Sequence, residues 1–240
     1  GEDQRWQNRL QELLSFTAAA PGFRPVMWID PLEHDIYQQL DACIQAGVKA
    51  FKVICTNFHP HEAEKVFRAI AERGYPIIFH SGVLYDKNVS SGYNHPMAFE
   101  FLMKIPNLVF ALAHIGWPWC DEAIALFGKF AYLHRVAPDQ HTEMYLDFTP
   151  GTPGYYRLDA FRKLFLTGYA VDDRIVWGTD HLGHLYDPVR IRQSCQRDRR
   201  FLDMVLSEAP EFISPAAVQR LAGVWEKLTD TNIRRFYREI

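Results

Sequence analysis

The sequence predicts an α/β fold with a parallel sheet. Three β-rich apolar runs each stop at a His or Asp close to a glycine, and they span Pro76–Gly82, Leu108–Gly116 and Arg174–Asp180. Continuous apolar runs of this kind are typical of strands that are buried on both faces. Segments with helical spacing separate the runs. Such alternation of strands and helices builds right-handed βαβ units around a parallel sheet.

The predicted helices begin and end at residues that favour those positions. Gly47 and Gly74 each follow an amphipathic segment, as glycines after a helix C-terminus often do. Pro96 and Pro215 stand where a helix begins, because the first turn does not use the proline's missing N–H. The predicted strands are Phe23–Ile29, Ala50–Cys55, Pro76–His80, Leu108–His114, Glu143–Phe148 and Arg174–Gly178. The predicted helices are Gln4–Ala18, Glu33–Ala46, His61–Arg73, Pro96–Lys104, Cys120–Leu133, Leu158–Gly168 and a helical tail from Pro188.

Six strands are fewer than a closed barrel of this type requires. A (β/α)8 barrel of the TIM type has eight strands and typically about 250 residues. We therefore predict a TIM-type barrel of which about six of the eight βα units are visible, as a single domain over residues 1–240. The two other units are expected before Gln4. Their absence predicts an open seam between the strand at Phe23 and the strand at Arg174.

Polar residues end three of the strands, at the edge of the sheet where parallel α/β folds build their sites. These residues are His80, His114 and Asp180. Two imidazoles and a carboxylate suit a divalent metal such as zinc, provided that a further position stays open for water. Two histidines at matching strand ends, beside an aspartate, favour a site over isolated buried histidines. Asp147 ends a strand at the same edge, although its surroundings also fit a turn.

Composition excludes several classes of function. The chain has 240 residues, of which 48% are hydrophobic, and its net charge is −3. This charge predicts neither a nucleic-acid partner nor binding to an anionic membrane. No apolar stretch approaches the roughly 20 residues of a membrane span. The four cysteines form no C-x-x-C pair, which favours reduced thiols and a cytoplasmic location.

The motifs together resemble the amidohydrolase superfamily, in the branch called amidohydrolase-related or family 2. The resemblance covers roughly Phe23 to Asp180 and the helical tail. Its specificity comes from the order and spacing of the pieces, because any one of them is weak evidence. The matching pieces are Trp28–Pro31, Ala50–Val53, Pro76–Gly82, Phe110–Gly116, Met144–Asp147 and Ile175–Asp180.

The resemblance implies roles for the matched residues. His80 would be a metal ligand on the fifth barrel strand, and Asp180 on the eighth would be a ligand or the base that accepts a proton from water. His114, on the sixth strand, would be a ligand of a second metal or, in single-metal members, a catalytic group near the substrate. Lys52 falls on the fourth strand, where some relatives carry a carboxylated lysine that bridges two metals. The implied cofactor is a divalent metal, Zn²⁺ first and Mn²⁺ second.

One family feature does not occur in this sequence. The family begins with a His-x-His pair, or a similar one, at the end of its first strand, and no such pair precedes His34. His59 and His61 form a His-x-His, but they lie beyond the end of a different strand. Pro60 between them favours the entrance of a helix.

Residues near the predicted rim are candidates for binding substrate. Trp117 and Trp119 follow His114 closely in the sequence. They could line an apolar pocket or pack over the barrel mouth. Tyr85 lies in a long polar loop after His80. Arg157 could hold a substrate carboxylate or lie on the surface.

We therefore predict a metal-dependent hydrolase in which metal-activated water attacks the carbonyl of a small amide, ester or lactone. Two alternatives remain open at this point. The same site could decarboxylate a small aromatic or enol carboxylate, or the barrel could be an inactive binding module. A small-molecule substrate is the expected partner, and a homo-oligomer is possible.

Overall fold

The computed structural model describes residues 5–19, 22–87, 89–137, 142–149, 151–181 and 185–240. Within them, the predicted alternation of strands and helices is confirmed. The strands are β1 (Val26–Ile29), β2 (Ala50–Val53), β3 (Ile77–Phe79), β4 (Val109–Leu112), β5 (Glu143–Phe148) and β6 (Ile175–Trp177). The helices between them are α1 (Arg5–Ala18), α2 (Ile36–Gln45), α3 (Glu64–Glu72), α4 (Ser90–Tyr93), α5 (Cys120–Val136) and α6 (Gly154–Phe165). Gln4, the predicted start of the first helix, lies outside the described residues.

The carboxyl-terminal part of the chain is helical, as predicted from Pro188 onward. It comprises α7 (Pro188–Phe212), α8 (Pro215–Arg220), α9 (Val224–Glu226), a π-helical turn (Lys227–Thr231) and α10 (Asn232–Phe236). Asp187 caps α7 by accepting hydrogen bonds from the amides of Val189 and Arg190. Short 3₁₀ helices add to the connections at Pro60–Ala63, Pro96–Lys104 and Ala113–Gly116.

The six strands form one parallel sheet in sequence order, β1 to β6. In the part of the chain that is described, β1 and β6 each pair with a single neighbour, so the predicted seam between them is open. Consecutive parallel strands with helical connections are the arrangement of a TIM barrel. The fold is therefore a partial TIM barrel with six of the eight strands.

Successive strand residues pack into two separate clusters, one on each face of the sheet. Phe51 and Phe110 belong to the large core between the sheet and the helices. Ala50 and Val109, one residue earlier, belong to a smaller cluster on the opposite, inner face. Because side chains alternate across a strand, burial on both faces explains the continuous apolar runs. Phe236 of α10 covers the inner face near the beginnings of the strands, with its ring 5.2 Å from that of Tyr145.

A buried ion pair between Arg157 of α6 and Asp198 of α7 joins these two helices, and Arg157 also contacts the loop that follows β5. Arg157 and Asp198 are each 1% exposed, and two guanidinium nitrogens of Arg157 donate to the Asp198 carboxylate. Trp177 Nε1 donates to the same carboxylate over 2.9 Å, and Arg157 Nη1 donates to the carbonyl of Thr149 over 3.1 Å. Four groups are therefore joined around an ion pair that is almost completely buried.

We expect Asp198→Ala to lower the free energy of unfolding by about 3–5 kcal/mol, because it leaves the Arg157 guanidinium buried without its partner. The measurement is urea unfolding followed by circular dichroism. The matched control is Asp203→Ala, which removes the exposed pair between Arg199 and Asp203 on the same helix. Its expected cost is below about 1 kcal/mol. Equal losses in the two variants would contradict a structural role for the buried pair.

Candidate functional site

His80 follows β3 directly and is nearly enclosed. Its amide donates to the carbonyl of Val53 over 2.9 Å, which continues the ladder between β2 and β3 past the end of the strand. The residue is 8% exposed, and its buried Nε2 atom has no hydrogen-bond partner among the described residues. Burial, with the positive charge of Lys52 and the neighbouring His114, lowers the pKa of His80 to about 3. The ring is therefore neutral at physiological pH.

His114 was predicted to end its strand but lies two residues after β4, in the short segment Ala113–Gly116, where it has an unusual backbone conformation. Its φ of 61° and ψ of 19° lie in the left-handed region, which turns the chain sharply at the rim. Nδ1 of the ring lies 2.7 Å from Oγ1 of Thr149. Burial, with the charge of Lys52, lowers the pKa of His114 to about 4. The rings of His80 and His114 meet edge to face with their centroids 5.1 Å apart, so the structure brings this predicted pair together.

Three charged residues surround the histidine pair. Lys52 lies two residues after Ala50, which places it on the inner face beyond the apolar cluster. Burial lowers the pKa of Lys52, and the carboxylates of Asp147 and Asp180 oppose that effect. Burial also raises the pKa of Asp147 to about 7, against the opposing charge of Lys52. The Oδ1 atom of Asp147 is buried without a hydrogen-bond partner.

Asp180 lies farther out at the rim than the two histidines. Its side chain is exposed, and its φ of 51° places it, like His114, in the left-handed region. Across the described residues, no three His, Cys, Asp or Glu side chains are grouped closely enough to hold a metal ion. Of the predicted set, the structure brings His80 and His114 together, whereas Asp180 does not join them in a group that could hold a metal.

The predicted substrate residues lie in different environments. Trp117 is half-buried against Tyr156 at a centroid distance of 4.7 Å, and Trp119 is half-buried against His95 at 4.8 Å. Tyr85 is 91% exposed and free to meet a ligand. Both tryptophans follow His114 within five residues, so they remain candidates for a pocket wall.

Arg157 does not fit its expected role as a clamp for a substrate carboxylate. Its guanidinium is buried and bound to Asp198 and to the Thr149 carbonyl, so an incoming carboxylate cannot reach it. The His-x-His at positions 59 and 61 forms a helix entrance, as its proline predicts. His59 Nδ1 contacts the carbonyl of Gly92 over 3.0 Å, and the His59 amide donates to Glu62 Oε1 over 2.8 Å.

Sequence reasoning underestimated Asp147 and gave no role to Thr149. Asp147 occupies the same alternating position as Tyr145, two residues earlier, whose side chain packs on the inner face. Side chains alternate between the two faces of a strand, so a residue two positions after an inner-face residue also points to the inner face. This alternation could have identified Asp147 as a charged residue of the inner face. Thr149 gave no comparable signal, because its importance lies in a contact with His114, which is 35 residues away.

The donor set fits a divalent metal in part. Neutral imidazoles are the form in which histidine binds metal, and both rings are neutral here. The unpartnered Nε2 of His80 is the kind of buried polar atom that a ligand would satisfy. His80 and His114 would therefore hold the metal, while the described residues leave the rest of its coordination to water or substrate.

Comparison with known proteins places the chain in a family. A family model described as Amidohydrolase matches residues 6–238, which is nearly the whole sequence. The chain belongs to this amidohydrolase family. It is accordingly an enzyme of the amidohydrolase type, as the order of its motifs predicted. A search of curated proteins gave no match for this amidohydrolase.

Solved structures share the fold of this amidohydrolase at low sequence identity. An uncharacterised TIM-barrel protein from Bordetella bronchiseptica is 17% identical, with a TM-score of 0.60, over 96% of this chain and 72% of that one. A protein described as a metal-dependent hydrolase from Lactobacillus casei is 15% identical, with a TM-score of 0.61, over 94% and 69%. A protein described as a probable 2-pyrone-4,6-dicarboxylic acid hydrolase from Acinetobacter baumannii is 10% identical, with a TM-score of 0.55, over 95% and 78%. At these identities the likeness shows the fold alone.

The histidine pair predicts a specific sensitivity to acid. Unfolded histidine titrates near pH 6.5, whereas His80 and His114 have pKa values of about 3 and about 4 in the folded chain. At pH values between the folded and the unfolded pKa of each histidine, the unfolded state binds more protons than the folded state does. The histidines' contribution to stability is therefore complete above about pH 6.5 and is lost as the pH falls.

We expect His114→Asn to reduce the pH dependence of the free energy of unfolding. The reduction should correspond to about one proton, or about 1.4 kcal/mol per pH unit, near pH 5. Asparagine tolerates the left-handed backbone that position 114 requires. The measurement is urea unfolding at pH 7, 6 and 5 in the presence of a chelator. His61→Asn, at an exposed helix entrance, is the matched control. An unchanged slope in His114→Asn would contradict a neutral, enclosed His114.

Proposed function

We propose that this amidohydrolase is a metal-dependent hydrolase that attacks the carbonyl of a small amide, ester or lactone. The observation that carries the proposal is the pair of neutral imidazoles, His80 and His114, at the carboxyl rim of a partial TIM barrel. Active sites of this fold lie at that rim. Zn²⁺ is the proposed metal and Mn²⁺ the second choice, because imidazole nitrogens suit zinc.

Each of the site residues would have a separate role in such a reaction. His80 and His114 would hold the metal, which when bound supplies a Lewis acid that polarises a carbonyl and lowers the pKa of water. Asp180, which is exposed at the rim, would accept a proton from the attacking water. Burial raises the pKa of both Asp147 and Asp180, and the neighbouring Lys52 opposes that rise. Trp117 and Trp119 offer apolar surface for the body of the substrate.

Lactones are the first substrates to test. Two of the structural neighbours are described as 2-pyrone-4,6-dicarboxylic acid hydrolases, and a pyrone of that kind is a cyclic ester. Decarboxylation receives no comparable support, because the arginine expected to hold the carboxylate is bound to Asp198. Membership of the amidohydrolase family likewise supports an enzyme over an inactive binding module.

The proposed location is the cytoplasm. All four cysteines are free thiols, and three of them are buried. Thiols without disulfide partners are typical of reducing compartments. Among the helices of the described residues, none is both long and apolar enough to cross a membrane.

We expect His80→Ala and Asp180→Asn to affect metal content and turnover differently. His80→Ala removes a proposed ligand, so metal content per chain and hydrolysis should both fall strongly. Asp180→Asn should keep most of the metal and lose roughly 10²–10⁴-fold in kcat, because it removes the proton acceptor. The measurements are elemental analysis and turnover on a panel of lactones, esters, amides and aromatic carboxylic acids, each with Zn²⁺ or Mn²⁺.

The matched control is His61→Ala, which removes an exposed histidine at a helix entrance. It should leave metal content and rate unchanged. Unchanged metal content and rate in both site variants would contradict the proposed function. Release of CO₂ from the carboxylic acids, without hydrolysis of the esters, would replace hydrolysis with decarboxylation.

A further inference from the structure

A cleft of about 580 Å³ lies at the edge of the sheet where the strands begin. Its walls are the second half of α5, the connection from α6 to β6, and the end of α8. That connection leads into the start of β6, whereas His80 and His114 follow the carboxyl ends of their strands. In a parallel sheet these are opposite edges, so the cleft is separate from the candidate active site. Its volume is in the range that holds a small organic ligand.

Three arginines line the cleft with guanidinium groups that have no strong partner. They are Arg135, Arg174 and Arg220. Among the described residues, none of the three guanidinium groups donates a side-chain hydrogen bond. Nη2 of Arg174 lies 3.5 Å from Oε2 of Glu143, and Nε of Arg220 lies 3.7 Å from Oδ1 of Asp172. Both contacts are longer than a well-formed hydrogen bond, so the donors of all three arginines remain available.

The stability of the fold does not account for this cluster of positive charge. The described residues that line the cleft include no aspartate or glutamate, although the whole chain has a net charge of −3. The carboxylate of Asp172, beside Arg220, is bound by Nζ of Lys227 over 2.7 Å. Cations that are gathered without hydrogen-bonded carboxylates repel one another and destabilise the folded state. In a concave site, the same charges attract an anion.

Two tyrosine rings give the cleft flat apolar surface beside the arginines. Tyr132 of α5 and Tyr169 of the connection line it, and they are 54% and 43% exposed. A Cβ atom placed on Gly128 would lie 2.6 Å from the ring of Tyr169, so this ring packs directly on the backbone of α5. Gly168, with a φ of 78°, turns the chain immediately before the tyrosine. Packing and the turn therefore hold Tyr169 in place while part of its ring stays open to a ligand.

We propose that this cleft binds a small organic anion in which a carboxylate or phosphate group is attached to an aromatic ring. The planar fork of an arginine matches the oxygens of either group. The exposed tyrosine rings suit stacking against a planar ligand. The proposal goes beyond the proposed function and does not depend on it, because none of the residues that carry it belongs to the carboxyl rim.

Calorimetric titration of the full chain at fixed ionic strength tests the proposal. The probes are phenyl phosphate, phthalate and inorganic phosphate, and the first two distinguish a phosphate ligand from a carboxylate ligand. We expect phenyl phosphate or phthalate to bind more tightly than inorganic phosphate. Arg135→Gln and Arg220→Gln, at two exposed positions, should each weaken that binding by roughly 10-fold or more, because each removes charge-assisted hydrogen bonds. Arg192→Gln is the matched control, since Arg192 is exposed on α7 and does not line the cleft.

Two further variants locate the probe and test the role of the ring. His80→Ala changes the rim and should bind the aromatic anions as the parent chain does. Tyr169→Leu should abolish the preference for phenyl phosphate over inorganic phosphate. No binding of either aromatic anion, loss of binding in His80→Ala, or equal losses in Arg192→Gln and the two cleft variants would overturn the proposal. An unchanged preference in Tyr169→Leu would overturn the assignment of an aromatic ligand. Failure of the chain to hydrolyse any substrate would contradict only the proposed function.

Discussion

Burial of the side chains at the carboxyl rim governs their electrostatics, and the neighbouring Lys52 modifies its effect. Lys52 lies on the inner face among two histidines and two aspartates, and its charge acts on all four groups. Burial disfavours the charged form of both imidazoles, and Lys52 adds to that effect, so the pKa values of His80 and His114 are lowered. At Asp147 and Asp180 the two effects oppose each other, because burial raises the pKa of each carboxyl group and Lys52 lowers it. Burial and Lys52 therefore act together to leave lone pairs on the imidazoles, which is the form in which histidine binds a metal.

The sequence was sufficient to predict the sheet and the pairing of His80 with His114, for a physical reason. Strands buried on both faces must be apolar throughout, which makes them conspicuous in the sequence. Parallel connections then bring the carboxyl ends of neighbouring strands to the same edge. Two histidines that end neighbouring strands must consequently meet. The order of the strands and the open seam followed from the same argument.

Other parts of the site could not be predicted, because they depend on contacts between distant residues. Asp198, 41 residues beyond Arg157, takes up the guanidinium that was expected to face the substrate. Nothing in the residues around Arg157 indicates that partner. The left-handed turn at His114 is equally hidden, since residues other than glycine adopt that conformation only uncommonly. Strand-end position therefore predicts which residues reach the rim, but not the direction in which their side chains point.

The loop after β5 connects the buried ion pair, which stabilises the fold, to His114 in the candidate site. Its Thr149 carbonyl accepts a hydrogen bond from Arg157, which is held by Asp198 of α7, while its Thr149 hydroxyl contacts His114. Breaking the buried ion pair would release the carbonyl and, through the same residue, the hydroxyl. A substitution at Asp198 should therefore disturb the orientation of His114 from a distance, even under conditions in which the variant remains folded. Arg157 thus contributes to the site without touching substrate, by fixing the backbone of the residue whose hydroxyl contacts the histidine.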